Sequence, residues 1–508
     1  MAAKPTAAAA QAAAGDHPIS APGPAAVPDQ LPLGATAATA APSPEPTPAG
    51  PRLWSRQYLT WIWAKPKVKG RFLGTIRVGE SVALRTTDKV AGQGCPQGFF
   101  RIEPRGYVCH DRTVTRDGET PFLKAVQATS PVSGPFPYRY ALSNGAPMYT
   151  RVPTPLEQKR TEWRYGKAGE FRPLGMFQRG HEHLARVVPI EPTDPLPAFL
   201  RDGGSARGRI KQLVRRTIPH GSMLSYTRAF DVGGRTFLLS ADMTVVPADR
   251  VRPFERSSFR GVVLGDGVEL PIGWFRVAPR TRYGRTAAGR IEPEGDAFPV
   301  RSWVRIRGEE IEQEGRRFVP VAAPGASKSR AATAFAAKGD ITIVRPVDQL
   351  PFGIEPGSKW ILVSITAGTL VAYRGLQPQF VTLISPGQGG VPIKGRDHVK
   401  YSTTPLGAYR ITYKDRAATM SPEMGEDRSF WIADVPFTQY FNPPFALHAA
   451  YWHEKFGELM SGGCVNASPI DAEWLFEWSD PQVPPGWQGA TGAGAKENGK
   501  TTTIVVRR

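Results

Sequence analysis

The stretch HAAYWHEKFGELMSGGCVNAS, residues 448–468, places one of only three cysteines in a glycine turn, sixteen residues after a histidine. The residues FALHAAYW predict a strand that ends near His448. The residues SPIDAEWLFEWS predict a helix with Ser468 as its N-cap and Asp471 three residues later, as in a capping box. Its apolar stripe comprises Ala472, Leu475 and Phe476. A strand, a cysteine-bearing turn and a helix are therefore expected in direct succession.

Cys464 and His448 together suggest a nucleophile and its base. A thiolate is a strong nucleophile, and a histidine close to it in space accepts the thiol proton. Glycines permit a tight turn, and the N-terminus of the following helix favours negative charge at the sulfur. The backbone N–H groups of Gly463 and Cys464 are candidates for an oxyanion hole. The alternatives are a buried, inert cysteine and a histidine that only completes the core.

The residues around this turn predict a mainly β domain over 350–508. KWILVSITAGTLVAYRG alternates apolar and polar residues and turns at Gly368, as a hairpin does. YSTTPLGAYRITYK predicts a turn and a further strand, and TTTIVVRR predicts a closing strand. With one or two helices among these strands, the domain is expected to be β-rich throughout.

The order of residues across the turn resembles the signature of the L,D-transpeptidase catalytic domain of the YkuD type. In that family a histidine is followed after about fifteen residues by Ser/Thr, His/Gly, Gly, Cys, a hydrophobic residue and Asn/Arg. Supporting matches are TTPLGAYRI ahead of the site and SPIDAEWL after it. The matching positions are His448, Ser461, Gly462, Gly463, Cys464, Val465 and Asn466.

The resemblance implies a β-sandwich-like fold that remodels peptidoglycan without a metal or cofactor. Cys464 would attack the carbonyl that precedes the terminal D-Ala of a tetrapeptide stem, which releases D-Ala and leaves a thioester. The amine of a second stem would resolve this thioester into a 3→3 cross-link. His448 would act as the base and later as the proton carrier, oriented by a backbone carbonyl.

The resemblance also suggests residues that hold substrate. The insert MSPEMGEDRSFWIADVPFTQY, residues 420–440, is similar to the family's substrate-capping loop. Gly462 stands where relatives often have a second histidine, and His453 is interpreted as a structural or lid histidine, with substrate contact as the alternative. The candidate substrate-binding residues are Ser461, Gly462, Asn466, Trp431, Tyr440 and His453.

Near the N-terminus, GTIRVGESV and CPQGFFRIEPRGYVC resemble a bacterial SH3-type domain, expected over residues 53–136. Cys95 and Cys109 flank two predicted strands within it, and a disulfide between them is the natural pairing. Two buried thiols are the alternative. A disulfide indicates an oxidising compartment, so we expect a periplasmic or otherwise extracytoplasmic, envelope-associated protein.

Three further segments complete the predicted organisation. Residues 1–52 are rich in Ala and Pro and predict a disordered tether, which does not read as a signal peptide. Residues 137–267 form a β-rich accessory region, and 268–345 a possible second SH3-like domain. The His181-x-His183 pair lacks a completing cluster and is interpreted as a solvated loop, not as a metal site.

The formal net charge of +19 belongs to the middle of the chain. Residues 350–508 carry 14 basic and 14 acidic residues, so the excess lies almost entirely within 53–349. Such a surplus favours anionic partners such as cell-wall polymers or acidic lipid surfaces, and solubility alone is the alternative reading. No nucleic-acid-binding motif accompanies it, so we expect no nucleic-acid partner.

Three functions remain open at this point. The first is an L,D-transpeptidase whose amine acceptor is a second peptidoglycan stem or an envelope protein such as a lipoprotein, with carbapenem-type β-lactams as expected inhibitors. The second keeps the thioester and lets water resolve it, which gives an L,D-carboxypeptidase or an amidase that releases wall-attached protein. The third is a cell-wall-binding protein with a vestigial catalytic domain.

Overall fold

The structure, a computed structural model, describes residues 50–173, 180–181, 184–206, 208, 211–322, 334–421, 431–492 and 500–508. Every element described below lies in one compact unit, Thr47–Arg508. Strands account for 41% of the described residues and helices for 10%, which confirms the prediction of a mainly β protein. Residues 1–49 of the predicted tether lie outside the described residues.

The N-terminal part begins with seven short strands and a helix. A disulfide joins Cys95 and Cys109, whose Cα atoms are 5.8 Å apart. The likeness of this part to SH3 domains stays a prediction. Its elements are β1 (Arg52–Ser55), β2 (Leu59–Trp63), β3 (Phe72–Arg77), β4 (Ser81–Val90), β5 (Phe99–Ile102), β6 (Tyr107–Cys109), β7 (Val114–Thr115) and α1 (Pro121–Gln127).

The middle of the chain supplies a second group of strands and one further helix. Thr154 caps this helix in a complete capping box with Glu157. The elements are β8 (Arg139–Ser143), β9 (Ala146–Tyr149), α2 (Pro155–Glu162), β10 (Val214–Ile218), β11 (Met223–Val232), β12 (Arg235–Ser240), β13 (Val245–Pro247), β14 (Val251–Pro253) and β15 (Val262–Val263).

Residues 272–344 form a separate eight-stranded sheet around a small core of Phe275, Val304, Val319 and Val321. It covers nearly the same residues as the predicted second SH3-like module, whose likeness to that family stays a prediction. Its strands are β16 (Ile272–Phe275), β17 (Tyr283–Arg285), β18 (Ile291–Pro293), β19 (Ser302–Ile306), β20 (Ile311–Gln313), β21 (Arg316–Ala322), β22 (Ala334–Ala337) and β23 (Thr342–Val344).

The C-terminal part supplies ten strands and one helix. The predicted helix is confirmed, because Ser468 accepts the N–H of Asp471 at its start. The elements are β24 (Lys359–Ser364), β25 (Thr369–Arg374), β26 (Gln377–Leu383), β27 (Gly407–Arg410), β28 (Tyr413–Met420), β29 (Ile432–Asn442), β30 (Phe445–Ala449), β31 (Val465–Ala467), α3 (Pro469–Trp478), β32 (Gly489–Thr491) and β33 (Thr503–Arg507).

These C-terminal strands are divided between two sheets. Strands β24–β27 and β33 form a six-stranded sheet with β15, which reaches into it from the middle region. Strands β28–β32 belong to a 19-stranded network that also contains β1–β14. The side chains between these layers form two large apolar clusters, in which residues of the N-terminal and middle parts mix with C-terminal ones. The N-terminal strands are therefore built into the same folded unit as the C-terminal ones.

Strand β32 connects the N-terminal strands to the C-terminal ones. It pairs with β3 on one side and with β28 on the other. The close approach requires glycine at residue 74, because a Cβ atom there would lie 2.5 Å from the ring of Trp487. The order of paired strands in this part of the sheet is β2, β3, β32, β28, β29, β30 and β31.

A buried ion pair ties three parts of the chain together. The Arg77 guanidinium on β3 contacts the Asp434 carboxylate on β29 at 2.7 Å, and both side chains are buried. Ser225 on β11 donates a short hydrogen bond to the same carboxylate, and the Tyr140 hydroxyl donates to the Asp434 carbonyl at 3.1 Å. The charges of Arg77 and Asp434 therefore offset each other where these strands meet.

We expect the Arg77→Met variant to lose about 3–5 kcal/mol of the free energy of unfolding, because it leaves the Asp434 charge buried without its counterion. Denaturant unfolding measures this loss. The matched control is Lys124→Met, which removes an exposed pair with Glu119 and is expected to cost less than about 1 kcal/mol. Equal losses for both variants would contradict the assigned role of the buried pair.

Candidate active site

Two adjacent parallel strands set the geometry of the site. Strand β30 carries His448 and pairs with β31 so that His448 lies opposite Asn466, and Leu447 lies opposite Val465. Cys464 immediately precedes Val465. Because side chains alternate between the faces of a strand, Cys464 is expected on the face that Asn466 and His448 share. The thiol and the imidazole thus belong to one face of one sheet, sixteen residues apart in sequence.

The turn that presents Cys464 is held by its own hydrogen bonds. Ser461 donates its hydroxyl to the Cys464 carbonyl at 2.5 Å and accepts the Gly463 N–H at 3.0 Å. Gly463 has φ of +125°, and a Cβ atom there would lie 2.4 Å from the ring of Phe445. Residue 463 therefore has to be glycine, and the Cys464 side chain remains partly exposed.

The bonding of Ser461 changes two of the predicted roles. Its hydroxyl is committed to the turn, so Ser461 positions the cysteine backbone, and the predicted substrate contact has no support from its bonds. The Gly463 N–H, predicted as an oxyanion donor, already donates to this hydroxyl. The Cys464 N–H is the other member of the predicted pair. Gly462 is exposed beside it.

His448 has the protonation state that a general base requires. It is buried, and its Nδ1 atom lies 3.0 Å from the Ala449 carbonyl oxygen, to which it donates as Nδ1–H. The Nε2 atom therefore carries the lone pair. Burial lowers the pKa of His448 to about 4, so the imidazole is neutral at physiological pH. The orienting backbone carbonyl expected from the sequence is that of Ala449.

His453 is a structural histidine. It is buried, accepts the Lys455 N–H on Nδ1 at 3.2 Å, and faces the Asn466 side-chain amide through Nε2 at 3.0 Å. Burial lowers the pKa of His453 to about 3, and the nearby His181 and His448 contribute less to the same shift. Because Nδ1 accepts the Lys455 N–H, the neutral ring carries its proton on Nε2. The Asn466 amide nitrogen is placed at this contact, so the amide has to be turned by 180° for its oxygen to accept that proton. Both residues are buried at the strand that follows Cys464, and their contact with substrate stays a prediction.

Tyr440 on β29 and Trp431, which precedes that strand, lie far apart, although the sequence suggested both as substrate contacts. Tyr440 pairs with Ala446. Burial raises the pKa of the Tyr440 hydroxyl, and the negative charges that Asp415 and Cys464 can carry raise it further. Tyr440 is therefore a neutral phenol, two strands away from Cys464 in the same sheet. Trp431 precedes β29 and bonds through its backbone to Ser222 and Met223 of the middle region. Nine residues at about 3.3 Å each separate the two along this strand.

The prediction of a solvated loop is wrong for His181, and His183 lies outside the described residues. His181 is buried, and its ring centroid lies 6.4 Å from that of Phe254. A Cβ atom at the neighbouring Gly180 would lie 3.0 Å from the Met460 methyl carbon, in the loop that leads to Cys464. The middle region thus packs against the back of the site.

Two residues of this neighbourhood were missed from the sequence. His398 bonds through Nδ1 to the Thr403 hydroxyl at 2.9 Å, and its ring lies 6.1 Å from that of Phe445 beside the cysteine turn. The sequence predicted Phe445 only as part of a strand. The sequence does offer one signal for Phe445, since it is an aromatic residue only three positions before His448. His398 is separated from Cys464 by sixty-six residues, and no local pattern marks it.

Asp471 does not complete the predicted capping box. Its carboxylate accepts the Gly261 N–H at 2.7 Å and the Thr382 hydroxyl at 2.5 Å, so it ties the start of α3 to the other sheet. Burial raises the pKa of Asp471 to about 6. The helix that follows Cys464 is therefore anchored by long-range bonds, which a sequence pattern cannot indicate.

The arrangement defines a thiol–imidazole site suited to acyl transfer, with a partly exposed sulfur, a neutral base and a phenol two strands away in the same sheet. Within the residues that the structure describes, no group of three or more His, Cys, Asp or Glu could hold a metal ion. In the same part of the chain, no helix is long and apolar enough to cross a membrane.

Comparison with known proteins assigns a family to this part of the chain. Residues 358–505 match the family model of the YkuD type, the L,D-transpeptidase catalytic domain. No curated protein matches the chain. The family model therefore identifies the domain that contains Cys464 and His448, and it leaves the preceding residues unassigned.

Solved structures of L,D-transpeptidases are also similar to part of the chain. The catalytic domain of the Enterococcus faecium enzyme is 16% identical over 30% of this chain and 100% of its own, with a TM-score of 0.22. A mutant of that enzyme is 18% identical over 30% of this chain and 50% of its own, with a TM-score of 0.22. The chain thus spans about half of that protein. L,D-transpeptidase 3 from Mycobacterium tuberculosis, with a faropenem-derived adduct, is 14% identical over 38% of this chain and 91% of its own, with a TM-score of 0.22.

Proposed function

We propose that the protein is a cysteine-dependent L,D-transpeptidase that cross-links peptidoglycan outside the cytoplasm. The observation that carries this proposal is the pairing of β30 with β31, which brings Cys464 to the face of a His448 whose Nδ1–H is held by the Ala449 carbonyl. The match of residues 358–505 to the family model supports it. The disulfide between Cys95 and Cys109 supports an oxidising compartment.

In the first step, the Cys464 sulfur attacks the carbonyl carbon that precedes the terminal D-Ala of a tetrapeptide stem. His448 Nε2 takes the thiol proton, and the Cys464 N–H faces the developing oxyanion. The carbon–nitrogen bond then breaks, and the imidazolium gives its proton to the leaving D-Ala amine. The product is a thioester between Cys464 and the shortened stem.

In the second step, the side-chain amine of a neighbouring stem attacks the thioester carbonyl. His448 Nε2 takes a proton from this amine, the carbon–sulfur bond breaks, and the imidazolium returns that proton to the leaving sulfur, which regenerates the thiol. The new amide is a 3→3 cross-link. An amine of an envelope protein would follow the same path, and carbapenem-type β-lactams would acylate the same sulfur.

The test is mass analysis of products after the protein acts on a purified disaccharide-tetrapeptide. We expect dimers that are one D-Ala lighter than two monomers, because the donor stem loses its terminal D-Ala and the acceptor stem keeps its own. Monomers that lose D-Ala without dimer formation would favour the hydrolase. Unchanged substrate would contradict the proposal and favour a cell-wall-binding protein.

A further inference from the structure

One face of the large sheet carries a row of aromatic side chains that leads from the N-terminal strands to Cys464. In order, ring centroids are 6.1 Å apart from Trp63 to Trp61, 5.1 Å from Trp61 to Phe72, 6.2 Å from Phe72 to Tyr413, and 6.4 Å from Tyr413 to Tyr440. We name these five residues the aromatic track. No two consecutive rings of the track are more than 6.4 Å apart.

The backbone pairing explains why the track crosses from one part of the chain to another. Tyr413 lies opposite Tyr440 on the neighbouring strand. On its other side, Tyr413 reaches across β32 and bonds through its hydroxyl to Thr75 on β3 at 3.0 Å. Gly489 on β32 makes room for this, because a Cβ atom there would lie 2.7 Å from the Tyr413 ring. A glycine in β32 thus lets the track continue between the two groups of strands.

The inner end of the track leads towards the catalytic turn. Tyr440 pairs with Ala446 on β30. In the parallel pairing of β30 and β31, Leu447 lies opposite Val465, so Ala446 and Cys464, each one residue earlier, lie opposite each other. Tyr440 and Cys464 are therefore level with each other and two strand spacings apart, about 10 Å. The influence of Cys464 on the pKa of Tyr440 agrees with this proximity.

The track is accessible to a ligand. Trp61 is 44% exposed, and the side chains of Trp63, Phe72, Tyr413 and Tyr440 are partly exposed. A contiguous apolar patch on a soluble protein marks an interaction surface or a ligand-binding groove. Because the track leads towards Cys464, one ligand can lie along it and present a carbonyl to the sulfur.

We propose that the aromatic track binds the glycan strand that carries the donor stem, an inference that rests on the proposed transpeptidase function. The apolar faces of pyranose rings pack against aromatic rings, and a row of rings fits a row of sugars. Three residues of extended peptide separate the sugar from the reacting carbonyl, a span of about 10 Å. This span is about the distance from Cys464 to Tyr440, so the first sugar lies at the inner end of the track.

This geometry divides the track between the two parts of the substrate. The stem lies between Cys464 and Tyr440, and the sugars lie over Tyr413, Phe72, Trp61 and Trp63. Binding energy from the glycan, remote from the reacting bond, then holds the stem carbonyl at Cys464. The N-terminal strands are consequently part of the substrate site, beyond any role as a spacer.

The first test measures binding without chemistry. Stem-free glycan strands are titrated into the Cys464→Ala protein by calorimetry, with Trp61→Ala and Trp163→Ala each added to this background. Trp163 is 79% exposed and lies outside the track, so it is the matched control. We expect Trp61→Ala to weaken binding about 5- to 10-fold and Trp163→Ala to leave it unchanged. Equal affinity for all three proteins, or no binding by any of them, would overturn the proposal.

The second test compares two donors, a tetrapeptide stem on its glycan and the same tetrapeptide without sugar. We expect Trp61→Ala to lower the ratio of their kcat/KM values about 5- to 10-fold, and Trp61→Phe to restore most of the ratio because it keeps a ring. An unchanged ratio would overturn the glycan assignment. Turnover of the sugar-free tetrapeptide by the wild type tests the transpeptidase function separately, so the two failures are distinguishable.

Discussion

The Cys464→Ala variant is expected to form no acyl-enzyme and to lose turnover by a factor on the order of 10³ or more. The reason is that the thioester needs the sulfur as nucleophile, and neither Ser461 nor any other hydroxyl of the turn is placed to replace it. Ser461 is committed to the Cys464 carbonyl and the Gly463 N–H. Intact-mass measurement after incubation with a tetrapeptide stem or a carbapenem checks this directly.

The same variant is expected to keep its fold. Cys464 is partly exposed, and the two bonds that hold the turn use backbone atoms of residues 463 and 464. Its thermal unfolding should therefore match that of the wild type. A covalent adduct on the variant, at any residue, would contradict the assignment of Cys464 as nucleophile.

The His448→Gln variant is expected to lower the acylation rate by about 10²- to 10⁴-fold, the usual contribution of a general base. Glutamine can still donate to the Ala449 carbonyl, but it has no lone pair on a basic nitrogen for the thiol proton. Stopped-flow or quenched measurement of thioester formation gives the rate. A matched control is His110→Gln in the N-terminal part, which should leave the rate unchanged.

The pH dependence of the wild type provides a second readout for the same residue. Burial lowers the pKa of His448 to about 4, so the neutral, active imidazole persists as the pH falls from 6.5 towards 4 and is lost below that. The acid limb of the acylation rate should therefore lie near pH 4, and His448→Gln should remove it. An acid limb near pH 6.5 would mean that the imidazole is not buried in the working enzyme.

The local sequence was sufficient to predict the central elements of the site. A strand ending near His448, a glycine turn at Cys464 and a helix capped by Ser468 depend on residues within about twenty positions of each other. Their propensities and caps act over a few residues, so they can be read directly from sequence. The mainly β character of the chain follows equally from short alternating runs and frequent turns.

The tertiary structure alone decided which of these residues do chemistry and what surrounds them. The commitment of the Gly463 N–H to Ser461, the burial of His181 behind the site and the distance of Trp431 from it result from packing between distant segments. The same holds for the track from Trp61 to Tyr440, because its residues come from strands more than 300 positions apart. Side chains from distant segments meet only when strand pairing brings their backbones together, and no local pattern encodes that pairing.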